Sequence, residues 1–521
     1  MSEMNGAQAL IRTLVESGVD TCFANPGTSE MHFVAALDDV PEMHGVLVLF
    51  EGVATGAADG YARMADKPAA TLLHLGPGLG NGLANLHNAR KAHIPIVNIV
   101  GDHATYHAQY DALLQSDIAT VARNVSTSII TVDRPEDTGA AAAEAVATAT
   151  SAPGQVVTLI LPADACWLEG GVVAPPASPP PRATVGAEVI EEIAKRLVSG
   201  EQSLLFLGGT SLRARGLAAA GRIVAATGVG LLAETFPARV ERGAGIQPIN
   251  KLAYFAEAAT EQLIDTRHLV LVDAKSPVSF FAYPGKASDL VPAGCEVQTL
   301  AGGGDDAIAA LEALADAVGA PAVSPTLAQA SRPEKPTGEL TPDSIGRALG
   351  ALLPENAIIS DEAATSGLSM GIHTGGAPAH DWLSLTGGAI GQGMPVATGA
   401  AVACPDRKVI CLQADGGAMY TIQALWTQGR ENLDVTTVIF NNRSYAILNI
   451  ELSRVGAKTG GTKAKEMLDI SNPDLDFVSI AQGLGVSATR ATTAEEFTEQ
   501  LEKALATKGP NLIEAMIPGI G

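Results

Sequence analysis

The run Asp415-Gly416-Gly417 is followed by the pair Asn441-Asn442, which places Asn442 27 positions after the aspartate. Between them lie a helix-like stretch, Tyr420 to Arg430, and the apolar run Val435 to Phe440. The order is strand, tight glycine turn, helix, strand, ending in two carboxamides at a strand's C-terminal end. In a parallel α/β sheet that end is where ligands sit. A carboxylate and a carboxamide oxygen from neighbouring strand tips make a hard, oxygen-rich site suited to Mg²⁺, which keeps some water and completes its octahedron with phosphate oxygens. Gly416 and Gly417 let backbone N–H groups approach that phosphate at the start of a helix. A lone Asp-Gly-Gly reads as an ordinary βαβ turn; the spacing and the paired asparagines favour the ligand site.

Glu51 follows the apolar Leu47-Val48-Leu49-Phe50 and opens the Ala/Gly-rich stretch Gly52 to Gly60. A carboxylate in that position is expected to be desolvated, which raises a carboxyl pKa and lets it share a proton near neutrality. Alone, it reads equally well as an acidic residue favoured by a helix dipole. In the loop Asn25-Pro26-Gly27-Thr28-Ser29-Glu30, Thr28 offers a hydroxyl at a strand-to-helix transition, where capping is the simpler role. His74 ends an apolar strand before Gly76-Pro77-Gly78-Leu79-Gly80-Asn81-Gly82, and it reads either as a proton shuttle or as a satisfied core histidine. That glycine segment fails the strict G-x-G-x-x-G pattern, because Asn81 or Leu83 takes the last position, so a NAD or FAD site there has little support. Asp102 to His107 carries two histidines in a loop that reads as solvated in preference to metal-binding.

The elements that must position these residues follow from periodicity and breaks. At 521 residues the chain has room for about three domains of roughly 150 residues. The proline-rich segment 174–183 forms neither helix nor interior strand, and a second polar, proline-bearing stretch runs from about Gly319 to Glu339. They divide the chain into 1–172, 186–318 and 340–521. Each piece alternates apolar runs with helical patterns, the signature of an α/β fold with parallel sheets. In the first piece the pattern predicts a helix over Gln8–Val15, strands at Thr21–Ala24, Val46–Phe50, Thr71–Leu75 and Ile94–Val100, a helix over Glu51–Arg63, and a glycine loop at Gly76–Gly82 before a helix to Lys91. In the last it predicts strands at Ala357–Ser360, Lys408–Leu412 and Val435–Phe440, and a small-residue helix over Gly387–Val402.

Composition narrows the class. The chain is 47% hydrophobic but only 4% aromatic, so its cores are built from small side chains, and its net charge of −23 argues against nucleic acid or an anionic membrane surface as partner. Five widely separated cysteines show no metal spacing and read as reduced thiols in a cytoplasmic protein. The N-terminus lacks signal-peptide character, and no apolar run reaches membrane-spanning length.

Taken together, Glu51, Asp415-Gly416 and Asn442 resemble the thiamine-diphosphate-dependent enzymes of the pyruvate-decarboxylase and acetolactate-synthase superfamily, over essentially the whole chain. Ala414 replaces the family's usual glycine before the aspartate. The resemblance implies three parallel-sheet α/β domains: a pyrimidine-binding domain (1–172), a central domain (186–318) and a diphosphate-binding domain (340–521). It implies Asp415, the Asn442 side chain and the Ser444 carbonyl as Mg²⁺ ligands, with Thr365, Gly416, Gly417 and Tyr445 at the cofactor. Ile390 would be the aliphatic wedge bending it, and Gly388 a backbone contact to its aminopyrimidine. Glu51 would be the activating glutamate. In the family that glutamate and the diphosphate site come from different subunits, so a homodimer is required and a homotetramer is expected. FAD binds the central domain only in some branches and is not favoured here.

The segments Asn25 to Glu30 and Leu73-His74-Leu75 look like the benzoylformate-decarboxylase branch, where residues at Thr28 and His74 bind the 2-keto acid and move protons. Leu114, Ala282, Ile447 and Glu451 fall at its substrate-pocket positions. Ala282 stands where that branch has a second histidine, and losing a positioned acid, worth about 10²–10⁴-fold, would favour carboligation. Glu451 suggests a polar or cationic substrate group, or a steering carboxylate. The implied activity is decarboxylation of a 2-keto acid through an enamine, ending in an aldehyde or in carboligation to a second carbonyl, a lyase reaction. The alternatives are an acetolactate synthase catalytic subunit, a transferase, and a non-catalytic cofactor-binding regulatory or assembly subunit, for which Ala282 and Ala414 are the only support.

Overall fold

The computed structural model describes residues 4–320, 324–457 and 461–519. Three sheets carry the chain. The first holds β1 (Thr21–Asn25), β2 (His44–Leu47), β3 (Ala69–Leu73), β4 (Ile96–Asp102), β5 (Ser128–Thr131) and β6 (Val156–Pro162), all parallel, in the order β2-β1-β3-β4-β6-β5. β3 and β6 are buried throughout, as strands covered by helices on both faces must be.

The second sheet is built from β7 (Ser203–Leu207), β8 (Gly230–Ala233), β10 (Asn250–Lys251), β11 (His268–Val272) and β12 (Glu296–Ala301), in the order β10-β8-β7-β11-β12. Between β8 and β10 the chain sends β9 (Val240–Arg242) to the third sheet, where it pairs antiparallel with β14 (His380–Ser384). β13 (Ile358–Glu362), β15 (Val409–Ala414), β16 (Val435–Asn441), β17 (Ser487–Ala491) and β18 (Asn511–Met516) complete a seven-stranded sheet of order β17-β18-β16-β15-β13-β14-β9.

The first and third sheets share one hydrophobic core. Its centre is the contact between helices α1 (Glu51–Ala65) and α3 (Gly393–Ala403), with α2 (Leu75–Lys91) alongside α1. Backbone meets backbone there: a Cβ on Gly60 would lie 2.1 Å from the Val396 carbonyl oxygen, and one on Gly399 would lie 1.8 Å from that of Ala57. The Ala/Gly composition of both helices is therefore a packing requirement.

Four elements differ from the sequence pattern. Gly76–Gly82 is not a loop but the opening turns of α2, which starts at Leu75. Pro77 sits in the first turn, where proline costs little, and Gly82 is small because a Cβ there would lie 2.9 Å from Thr55 Cγ2 of α1. Tertiary packing has overridden glycine's low helix propensity. Conversely, the helix expected from Gly387 begins only at Gly393, because Gly388 and Gly391 take φ of +80° and +93° and hold residues 387–392 as a loop. The helix expected over Tyr420–Arg430 forms only over Ala424–Arg430, and the strand expected to reach Phe50 ends at Leu47.

Candidate active site

Parallel register brings the third sheet's chemistry together. Gln413 lies opposite Glu362 and Ala414 opposite Phe440, so Asp415 and Asn441-Asn442 emerge at adjacent strand tips. The buried Asp415 carboxylate accepts the Gly416 N–H at 2.8 Å and the Arg443 N–H at 2.7 Å. Burial pushes its carboxyl up, and these backbone donors pull it back. Its hydrogen bonds come from N–H groups and not from a cationic side chain, so its charge is available to a metal ion. Asn442 Oδ1 accepts the Ser444 N–H at 2.9 Å, while the Asn441 side chain turns inward to Glu514 at 2.7 Å. The paired asparagines thus separate into one at the site and one in the core.

Gly416 lies beneath Tyr445, whose Cε1 would be 2.4 Å from an added Cβ, and a Cβ on Gly417 would lie 2.4 Å from Glu362 Oε1. Thr365 sits in a 3₁₀ turn, Ala364–Gly367, that meets helix α4 (Ala446–Arg454), the helix carrying Ile447 and Glu451. Glu362 has no counterpart in the sequence reading. It is fully enclosed and accepts the N–H groups of Gly391, Gln392 and Gly393 at 2.7, 2.6 and 2.6 Å and the Gln413 side chain at 3.0 Å. It therefore anchors the loop that presents Gly388 and Ile390. Its only sequence signal is a carboxylate at the tip of the apolar strand Ala357–Ser360.

The second group stands at the C-terminal end of the first sheet. Glu51, 7% exposed, accepts Asn81 Nδ2 at 3.0 Å. Gly78 separates it from His74: a Cβ there would lie 3.1 Å from Glu51 Oε1 and 3.5 Å from His74 Cβ. His74 Nδ1 is 2.8 Å from Glu30 Oε2, which also accepts the Gly27 N–H at 2.6 Å. Thr28 follows Gly27 and is exposed. Leu114, 40% exposed, lies two residues from Ser116, which touches Gly76 at the start of α2. Three non-glycine residues in left-handed conformation adjoin the two groups: Leu75 after His74, Ala364 before Thr365 and Arg443 after Asn442, with φ of 52°, 50° and 59°. Such strain collects at functional sites.

The central region closes over the third sheet. Phe280 lies against Gly388, 2.7 Å from where a Cβ would be, and the exposed Ala282 is two residues on. Glu451 accepts the hydroxyls of Tyr283 and Tyr254 at 3.1 and 3.4 Å, and Arg454 lies 3.8 Å away. Its carboxylate is thus engaged within the chain, by partners from the central region. A cavity of about 520 Å³ opens at the C-terminal ends of β7 and β11, beside Gly209, Thr210 and Asp273. Two of the cations on its wall pair within the chain, Arg213 with Asp66 at 2.8 Å and Arg239 with Asp381 at 2.5 Å.

Among the described residues no group of three His, Cys, Asp or Glu side chains could hold a metal ion. Any cation at Asp415 therefore depends on one carboxylate, neutral protein oxygens and oxygens of its ligand, a donor set that fits Mg²⁺ bound together with a diphosphate. His103 and His107 face each other with ring centroids 5.3 Å apart. Among the described residues no helix is long and apolar enough to cross a membrane.

Similarity to known proteins agrees with this geometry. Residues 4–123 match the N-terminal thiamine pyrophosphate binding domain of thiamine pyrophosphate enzymes, and residues 369–515 match the C-terminal one. The chain belongs to the thiamine pyrophosphate enzyme family, in its decarboxylase and acetolactate synthase group. It is 60% identical over 99% of its length, and 100% of the other, to a Mycobacterium tuberculosis protein called "Putative acetolactate synthase large subunit IlvX". It is 30% identical to the benzoylformate decarboxylase of Pseudomonas aeruginosa, over 95% of this chain and 96% of that one. The fold matches the thiamine diphosphate-dependent 4-hydroxybenzoylformate decarboxylase of Rhodococcus jostii with a TM-score of 0.86, at 24% identity and 99% coverage of both chains.

Proposed function

We propose that the protein is a thiamine-diphosphate- and Mg²⁺-dependent enzyme that decarboxylates a 2-keto acid and either releases an aldehyde or joins the product to a second carbonyl. The supporting observation is the pairing of Glu51 and His74 across Gly78, two proton-carrying groups at the C-terminal end of the first sheet. Residues 1–172 form the pyrimidine-binding domain, 186–318 the central domain and 340–521 the diphosphate-binding domain. Asp415, Asn442 and the Ser444 carbonyl hold Mg²⁺; Thr365, Gly416, Gly417 and Tyr445 hold the diphosphate; Gly388 and Ile390 orient the rings. When bound, the cofactor supplies an electron sink at the keto carbon. Glu51 holds a proton at its carboxyl oxygen, Thr28 orients the substrate carboxylate, and His74 moves a proton at Nε2. Leu114, Ala282 and Ile447 line the substrate pocket, with Glu451 beside them.

The Glu51 and Asp415 side chains lie on different sheets, and among the described residues no hydrogen bond or ion pair joins one carboxylate to the other. Exposed apolar side chains flank both, Leu49, Leu113 and Leu114 near the first, Met419, Tyr420 and Leu448 near the second. Such patches mark association surfaces, and we assign them to a second copy of the chain, so that each site is completed across a dimer, with a tetramer as the larger assembly. The five free cysteines suit a reducing compartment, the cytoplasm.

A second reading, formation of acetolactate from pyruvate, is favoured by the name of the 60% identical relative. A panel of 2-keto acids with added Mg²⁺ and thiamine diphosphate, following CO₂ with and without an aldehyde, separates the two. The expected outcome is CO₂ release from keto acids other than pyruvate. Acetolactate as the main product from pyruvate would replace the first reading with the second, and no CO₂ from any keto acid would refute both.

A further inference from the structure

We infer that Glu30 is a positioning residue for the reaction, gripping His74 through Nδ1 so that Nε2 is the atom that exchanges protons with the substrate. The inference rests on the function proposed above. Local structure gives Glu30 an ordinary task, accepting the N–H of the N-cap residue Gly27 at the start of the short helix Thr28–Glu30, and its bond to that N–H performs it. Capping does not explain the rest of its surroundings. The side chain is 1% exposed, whereas a capping carboxylate can remain in water. The same Oε2 that accepts Gly27 faces His74 Nδ1 at 2.8 Å, and Oε1 is buried with no hydrogen-bond partner.

Two glycines make the space for this pair. A Cβ on Gly101 would lie 1.7 Å from Glu30 Oε1, and one on Gly27 would lie 2.3 Å from His74 Nδ1. Neither glycine has a positive φ among the described residues, so backbone conformation does not demand them; room for the Glu30–His74 pair does. His74 keeps 25% of its side chain exposed, which leaves it open on the side away from Glu30.

The chemistry follows from the contact. A carboxylate at Nδ1 selects the neutral tautomer with its proton on Nδ1 and stabilises the imidazolium when Nε2 takes up a second proton. When Nε2 gives that proton to the substrate, the ring is left neutral with its remaining proton still facing Glu30. Of the titratable groups around the pair, Glu51 lies across Gly78, Cys166 lies close to Glu30 and to Asp164, and Asp102 follows Gly101 in β4. None is a cation, so each either favours the imidazolium or is neutral. Burial pushes the Glu30 carboxyl up, and the Gly27 N–H and His74 pull it back.

The test compares wild type, Glu30→Gln, Glu30→Asp, His74→Asn and the Glu30→Gln/His74→Asn double variant. Nitrogen NMR of histidine-labelled apo protein, with His74 assigned by its loss in His74→Asn, reads the tautomer without any turnover. The wild type should show the proton on Nδ1 and Glu30→Gln a mixture. On the keto acid that wild type turns over, Glu30→Gln should lower kcat about 10-fold or more while leaving KM within twofold, and the double variant should be no worse than His74→Asn alone, as for residues acting as a unit. Removing the charge should move the alkaline limb of the kcat profile to lower pH by about one unit, and Glu30→Asp, which keeps the charge, should leave that limb in place. An unchanged tautomer, an unmoved limb in Glu30→Gln or additive losses would overturn the inference. Because the tautomer is read on apo protein, it stands or falls even if wild type proves inactive, an outcome that refutes the proposed function instead.

Discussion

The C-terminal ends of the first and third sheets have the same architecture and opposite chemistry. At the third, one buried carboxylate, Asp415, is surrounded by backbone N–H donors, a carboxamide and glycines. At the first, Glu51, His74 and Glu30 are carried within one glycine-lined cluster. On the proposed function, the third sheet's end holds an anion and a cation still, and the first sheet's end moves protons. The difference teaches that a parallel α/β sheet fixes where a site lies, and the side chains at its strand tips decide what the site does.

The largest expected effect tests the holding end. Asp415→Ala should abolish stabilisation by thiamine diphosphate and Mg²⁺, which for a ligand at a hundredfold excess over Kd is about 2.7 kcal/mol. Thermal melts with and without both ligands check it. A full ligand-induced shift in Asp415→Ala would remove the third sheet from the comparison.

The next effect falls on the joint between the two ends. Gly399 leaves no room for a side chain against the Ala57 carbonyl, so Gly399→Ala should destabilise the protein by about 1–3 kcal/mol, measured by urea unfolding. No change would mean that α1 and α3 are not in tight backbone contact.

The third prediction belongs to the central region, which serves as the control. Burial pushes the Glu234 carboxyl up to about 7 from an ordinary 4.5. A raised carboxyl pKa adds stability that is complete below about 4.5 and is lost as pH rises through about 7. In Glu234→Gln the melting temperature should therefore fall less between pH 4.5 and 8 than in wild type, with the Asp415 and Glu51 ends unaffected. Equal falls would show that Glu234 does not titrate abnormally.

Much of the holding end was legible because it is local. Asp415, Gly416 and Asn442 flank one strand-helix-strand unit, so spacing alone places them together. The proton-moving end was legible only in part. Glu51 and His74 stand at apolar strand ends, but the Glu30–His74 contact spans 44 positions and depends on two glycines that read as turn residues. Glu362 was invisible for the same reason, since the backbone it holds lies about 30 positions downstream. The Gly76–Gly82 segment misled, because glycines there serve packing against α1. Glu451 shows the limit of position: its sequence neighbours give no hint of Tyr254 and Tyr283, which reach it from the central region.

The most direct test of the division between holding and moving is hydrogen–deuterium exchange at C2 of thiamine diphosphate bound with Mg²⁺, in wild type and Glu51→Gln. The account predicts exchange in wild type much faster than in free cofactor. In Glu51→Gln it predicts a loss of about 10²–10⁴-fold, with cofactor still bound through Asp415 and Asn442. Exchange that is no faster in wild type than in solution, or that survives in Glu51→Gln, would contradict it.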